Sequence, residues 1–150
     1  MKAAILDFNR TLFDPDSSAF IEGTIPLLYL LKSRGIKLVL ISLEEKGRTE
    51  QIKPISSYFD FILLPKEKTR EEFQKVLQEL RLPAGKVVVI GDYVREEITF
   101  GNQLGMTTIR VKQGKYASMT STIPEEQATV TVSNLYQVIS FLNNIDMGGN

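Results

Sequence analysis

The stretch Ala3-Ala4-Ile5-Leu6-Asp7-Phe8-Asn9-Arg10-Thr11-Leu12-Phe13-Asp14 decides how this chain is read. Four apolar residues run straight into an aspartate. A short apolar run without polar alternation marks a strand buried on both faces, as in a parallel sheet. Its carboxyl end delivers Asp7 to one edge of that sheet. The same pattern recurs downstream, where Ile36–Ile41, Phe61–Leu64, Lys86–Ile90 and Thr107–Val111 read as strands and Ala128–Val132 as a sixth. Amphipathic segments separate them. Ile25–Arg34 carries Ile25, Leu28 and Leu31 at helical spacing and stops at Gly35. Lys46–Tyr58 is polar and helical, limited by Pro54. Thr69–Leu80 places Phe73, Val76, Leu77 and Leu80 on one face behind a Thr69/Glu72 capping box. Glu96–Leu104 closes at Gly105, and Leu135–Ile145 is the last helix. Lys112–Gln127 reads as a long loop.

Strand–helix alternation of this kind predicts a mostly parallel sheet of five to six strands, covered by helices on both faces and linked by right-handed crossovers. The length of 150 residues suits a single domain over 1–150, with a core over 1–145 and a frayed tail over 146–150.

In open sheets of this class, ligands bind at the carboxyl ends of the strands, where strand order reverses. The first strand ends in Asp7, the second in Ser42, and the third runs into Lys66-Glu67-Lys68. The fourth ends in Gly91-Asp92, with Glu96 and Glu97 close behind. Each has an ordinary reading alone: a turn aspartate, a cap hydroxyl, solvated lysines, acids in a first helical turn. Together they bring acids, a hydroxyl and a cation to one edge. Carboxylates in an oxygen-rich setting suit a hard cation, Mg²⁺ first among them. A lysine and a hydroxyl beside it suit a phosphoryl group, which a carboxylate can attack.

Composition narrows the chemistry from the other side. There is no cysteine and no histidine, so thiolate catalysis, Ser-His-Asp catalysis and the common zinc sites are excluded. Lys plus Arg equals Asp plus Glu at 18 each, which argues against an overall grip on nucleic acid or an anionic membrane. No apolar run approaches the roughly 20 residues of a membrane span. The apolar start is too short for a secretion signal, and a cytoplasmic location is the expectation.

Asp7 to Asp14 resembles the first motif of the haloacid dehalogenase-like (HAD) hydrolase superfamily, Asp-x-Asp-x-Thr-Leu-x-Asp. Ser42 after Leu38–Ile41, Lys68 before Phe73, and Gly91-Asp92 with Glu97 are similar to its second, third and fourth motifs, and the likeness runs over residues 1–145. It implies a three-layer α/β/α Rossmann-like fold and a Mg²⁺-dependent phosphohydrolase working through an aspartyl-phosphate. Asp7 is then the nucleophile; Asp7, the Asn9 carbonyl, Asp92 and Glu97 hold the metal; Ser42, Lys68, Arg10 and Thr11 serve the substrate, Thr11 also by supporting the loop. Lys66 is the alternative to Lys68, and Glu96 the alternative to Glu97.

Two departures stand out. Asn9 occupies the place of the second aspartate, the general acid and base, and an amide cannot shuttle a proton. Glu97 stands where aspartate is usual. The gaps from Asp14 to Ser42 and from Ser42 to Lys68 are too short for the cap domains of the superfamily. A capless member accepts a phosphorylated small molecule or macromolecule, or borrows a lid from a homo-oligomer. The alternatives are a metal- and phosphate-binding regulatory module weakened by Asn9, and a C–halogen hydrolase, which the missing cap and the Asp92/Glu97 pair oppose.

Overall fold

The computed structural model describes residues 1–145; the tail over 146–150 lies outside them. Six strands form one sheet: β1 (Ala3–Leu6), β4 (Lys37–Ile41), β5 (Phe61–Leu63), β6 (Val87–Gly91), β7 (Thr107–Val111) and β8 (Val130–Val132). Their order is β5-β4-β1-β6-β7-β8, every neighbouring pair parallel. The chain builds outward from β1 through β4 to β5. It then returns to lay β6 on the other side of β1 and continues through β7 to β8. Strand order thus reverses at β1, the geometry that opens a crevice above the carboxyl ends.

The two central strands, β1 and β6, are apolar at every position because both faces are covered. Ala4, Leu6, Leu38, Leu40, Val88 and Ile90 face one core. This core is filled by α1 (Thr24–Ser33), α2 (Arg48–Ile52) and α5 (Leu135–Asn143). Ala3, Ile5, Val39, Ile41, Val87 and Val89 face the other, against α3 (Arg70–Leu80) and α4 (Thr99–Leu104). Thr69 caps α3 as expected: its hydroxyl accepts the Glu72 amide at 3.3 Å. Gly101 lets α4 close on the sheet, since a Cβ there would meet Thr108 Cγ2 at 2.7 Å.

Three segments differ from the sequence reading. A small hairpin, β2 (Phe13–Asp14) with β3 (Ala19–Phe20), follows the first motif and was not anticipated. The segment expected as one helix over 46–58 is α2 followed by a tighter 3₁₀ turn, Lys53–Tyr58, with Pro54 at its start. Proline suits a helix start, so it changes the winding rather than stopping it. The helix expected from Glu96 opens as a π-helical turn, Val94–Ile98, before α4.

Among the described residues, the connection from β1 to β4 holds only the hairpin and α1. That from β4 to α3 holds only α2, the 3₁₀ turn and β5. Neither carries an inserted cap. No described helix is long and apolar enough to cross a membrane.

Candidate active site

The loop after β1 is wound around one atom. The Phe8 carbonyl accepts the amides of Thr11, Leu12 and Phe13 at 3.2, 2.9 and 3.0 Å. That turn forces Arg10 into the left-handed region, φ 62°, where a non-glycine residue costs about 1–2 kcal/mol. The Arg10 amide gives its hydrogen bond to the Phe13 carbonyl at 2.7 Å. Beneath, Phe8 stacks on Phe13 at 5.0 Å between ring centroids, and Phe20 meets Phe13 edge-on at 5.4 Å. The hairpin thus anchors the loop that carries Asp7.

Register sets the facing acid. Leu6 pairs with Ile90, and the Asp7 amide donates to the Ile90 carbonyl at 3.1 Å, so Asp7 and Asp92 emerge side by side. The π-helical turn brings Glu97 in from above. Gly91 makes the room: a Cβ there would lie 2.3 Å from Glu97 Cγ. One carboxylate oxygen from each of Asp7, Asp92 and Glu97 lies within 4.8 Å of the others, and all three residues are buried.

A single cation enters this cluster. Lys68 Nζ sits 2.5 Å from Asp7 Oδ1 and 3.4 Å from Glu97 Oε2. Thr11 Oγ1 donates to Asp7 Oδ2 at 3.1 Å and lies 3.5 Å from Asp92 Oδ1. Burial works to raise the Asp7 pKa, but the Lys68 charge, helped by its hydrogen bond, outweighs it and holds Asp7 below the usual range. Burial, then the Asp7 and Glu97 charges, push Asp92 up to about 10. Burial and the Asp7 charge raise Glu97 to about 7. For Lys68, desolvation is overcome by the Asp7 and Glu97 charges, and its pKa rises. Asp92 Oδ2 is buried with no hydrogen-bond partner among the described residues. Three crowded acids, one lysine and an orphaned carboxylate oxygen suit a hard divalent cation.

Above the cluster opens a pocket of about 140 Å³. Asp7, Asn9, Arg10, Ser42, Lys68, Asp92 and Glu97 line it, with Glu96 at its edge. The structure therefore brings together nearly all the residues singled out from the sequence. Of the paired alternatives, Lys68 and Glu97 enter the acid cluster; Lys66 is exposed and Glu96 only half-buried. Thr11, expected both to serve the substrate and to support the loop, is placed for the second role. It is fully buried behind Asp7 and Asp92, off the pocket wall, because its hydroxyl is spent on their carboxylates.

Sequence reasoning missed Arg48. This buried guanidinium lies 5.2 Å from the Phe8 ring centroid and donates to Asn9 Oδ1 at 2.8 Å and to Gln51 at 3.2 Å, while also pairing with Glu45. It sits in a short polar helix whose pattern says nothing about which side chain turns inward. Tyr93 and Tyr116 were also missed as a pair: their rings meet at 4.5 Å on the pocket wall. Tyr116 belongs to the Lys112–Gln127 loop, which supplies it to the pocket lining.

A sequence model of the HAD-hydrolase-like family matches residues 68–138. Glyceraldehyde 3-phosphate phosphatase of Methanocaldococcus jannaschii is 32% identical over 130 residues, spanning 81% of this chain and 56% of that protein. The chain thus covers little more than half the length of this curated relative. The crystal structure of a HAD phosphatase from Thermococcus onnurineus superposes with a TM-score of 0.80 at 14% identity, covering 95% of this chain and 98% of the other. D,D-heptose 1.7-bisphosphate phosphatase from B. bronchiseptica, complexed with magnesium and phosphate, gives 0.75 at 14% identity, with coverage of 95% and 98%. With this fold, these strand-end motifs and this relative, the chain belongs to the haloacid dehalogenase-like hydrolase superfamily.

Proposed function

We propose that the protein is a phosphohydrolase that cleaves phosphate monoesters through Asp7. One observation carries the reading: Asp7 is kept ionised by Lys68 while sharing a cluster with Asp92 and Glu97 at the floor of an open pocket. The Asp7, Asp92 and Glu97 carboxylates and the Asn9 carbonyl would hold Mg²⁺, which would supply neutralising charge for the phosphoryl oxygens. The curated relative is named as a phosphatase, which supports a phosphorylated substrate.

The chain's own residues divide the work. The lone pair of an Asp7 carboxylate oxygen attacks phosphorus, and the ester P–O bond breaks. Lys68 orients Asp7 and offsets charge on the transferring group, and Ser42 donates to one of its oxygens. Thr11 keeps Asp7 in line by its hydrogen bond. Water then attacks phosphorus, the bond from phosphorus to the Asp7 oxygen breaks to restore the carboxylate, and the water's protons leave on the released phosphate. Asn9 can steady the bridging oxygen with an N–H but cannot hand it a proton. Turnover is therefore fastest with leaving groups that depart unprotonated, aryl and acyl phosphates. Asn9 also favours a second reading, a regulatory module that binds metal and phosphate without appreciable turnover.

Phosphate release from p-nitrophenyl phosphate and a broad monoester panel, with Mg²⁺ present, tests the proposal. Release that disappears in Asp7→Asn is the expected result. A folded, metal-supplied protein with no release above the Asp7→Asn background would overturn it.

A further inference from the structure

Three cations line the pocket, and two of them are committed. Lys68 is held between Asp7 and Glu97. Arg48 is held by Glu45, Gln51 and Asn9. Arg10 is different: its side chain makes no hydrogen bond or ion pair among the described residues, and its Nε is buried without a partner. The acid best placed to take it, Asp14, feels its charge but has both oxygens in use. Asp14 Oδ1 accepts the Asp16 amide at 2.9 Å and Oδ2 the Ser17 hydroxyl at 2.8 Å.

The surroundings of Arg10 are built rather than loose. Its backbone is fixed in the left-handed turn. Gln113 Nε2 donates to the Arg10 and Thr11 carbonyls, both at 3.1 Å. Its stem lies along Gly114, where a Cβ would stand 3.4 Å from Arg10 Cβ and 3.5 Å from Cγ. The guanidinium reaches the Tyr116 ring, 5.8 Å from its centroid, and Lys115 Nζ lies 5.5 Å from the same centroid. A fixed, unpaired guanidinium at the wall of a pocket whose floor takes one anion is a site for another anion.

We infer that the substrate carries a second anionic group besides the phosphoryl group that is cleaved, and that Arg10, on the Tyr116 wall, receives it. The inference rests on the phosphohydrolase reading and narrows its substrate class to phosphate esters bearing a carboxylate or a second phosphate. Both groups offer the same planar or forked oxygens to a guanidinium.

The test compares matched probes on the Mg²⁺-supplied protein. One pair is 3-phosphoglycerate against glycerol 3-phosphate; the other is fructose 1,6-bisphosphate against fructose 6-phosphate. Calorimetric binding of the same four to the Asp7→Asn protein gives a readout that needs no turnover. In at least one pair the doubly anionic probe is expected to be favoured about tenfold or more, carried by KM and by Kd rather than kcat, as suits one charge-assisted contact. The favoured pair tells carboxylate from phosphate. Arg10→Gln is expected to erase that ratio and Arg10→Lys to restore part of it. Equal preference within both pairs, or a ratio unmoved by Arg10→Gln, overturns the inference while leaving the phosphohydrolase reading intact. No release from any probe or from p-nitrophenyl phosphate, together with no binding, overturns both.

Discussion

Asn9 faces Arg48 through its only acceptor, Oδ1, because a guanidinium has nothing but donors. The amide is therefore oriented with its NH₂ branch turned away from Arg48, on a residue that lines the pocket. That contact bears on how to restore an acid at position 9. In Asn9→Asp the new carboxylate would meet Arg48 at hydrogen-bond distance and stay ionised, a poor proton donor. We expect Asn9→Asp alone to raise kcat on alkyl phosphates by less than ~10-fold. Asn9→Asp with Arg48→Gln should recover more of the 10²–10⁴-fold that general acid catalysis typically provides. Steady-state rates on alkyl and aryl esters check this, with urea denaturation to confirm folding. A full gain in the single variant would show that Arg48 does not restrain position 9.

At the scale of elements, the loop between β7 and β8 has its own internal support. Glu126 is buried, and its Oε1 accepts the Thr122 amide at 2.8 Å and the Thr122 hydroxyl at 3.1 Å. Asn102 of α4 donates to the Glu125 and Gln127 carbonyls at 2.7 and 2.8 Å, pinning the loop's far end. The Thr122 amide is the main reason the Glu126 pKa lies below its ordinary value of 4.5, with smaller help from the Thr122 hydroxyl and Arg95. A depressed carboxylate stabilises the fold at pH above that value, and the contribution fades as pH falls through the lower folded value. The stability difference between wild type and Glu126→Gln should therefore be largest at neutral pH and shrink below pH 4.5, measured by urea titration across pH.

What the sequence made legible at this scale follows from pattern length. The five strands around Asp7 and the capped helix α3 were readable because apolar runs and a Thr/Glu cap are local signals. So were Asp7, Ser42 and Asp92, which topology alone carries to one edge, whereas Lys66 and Lys68 were left as alternatives. The β2–β3 hairpin was not, because two-residue strands leave no alternation to see. Glu96 and Glu97 could not be told apart either, since the choice depends on the π-helical turn and on the space above Gly91. Arg48 and the Tyr93/Tyr116 contact join segments far apart in sequence.

For the molecule as a whole, the site sits where the sheet's strand order turns at β1, and it concentrates buried negative charge there. Burying like charges together is destabilising unless they are paired. Asp92→Asn keeps the shape and, because burial and its acidic neighbours push Asp92 up to about 10, it stands in for a carboxyl that is already protonated at neutral pH without metal. Without metal we expect it to melt at the same temperature as wild type or higher. With Mg²⁺, wild type should gain melting temperature as ligand binding to the folded state requires, and Asp92→Asn should gain little. Thermal melts with chelator and with excess Mg²⁺ decide this. An equal metal-induced shift in both proteins would remove Asp92 from the cation site.

Arg110 belongs to β7, and its buried guanidinium donates to the Tyr116 carbonyl at 3.2 Å and to the Met119 carbonyl. The wall above the pocket is thus bolted to the sheet, and among the described residues no cap is inserted over it. A wall held in this way gives the described residues no hinge of their own beside the pocket. In glycerol- or sucrose-thickened buffer, kcat on a slow alkyl ester should stay level, because bond breaking rather than an opening motion sets the pace.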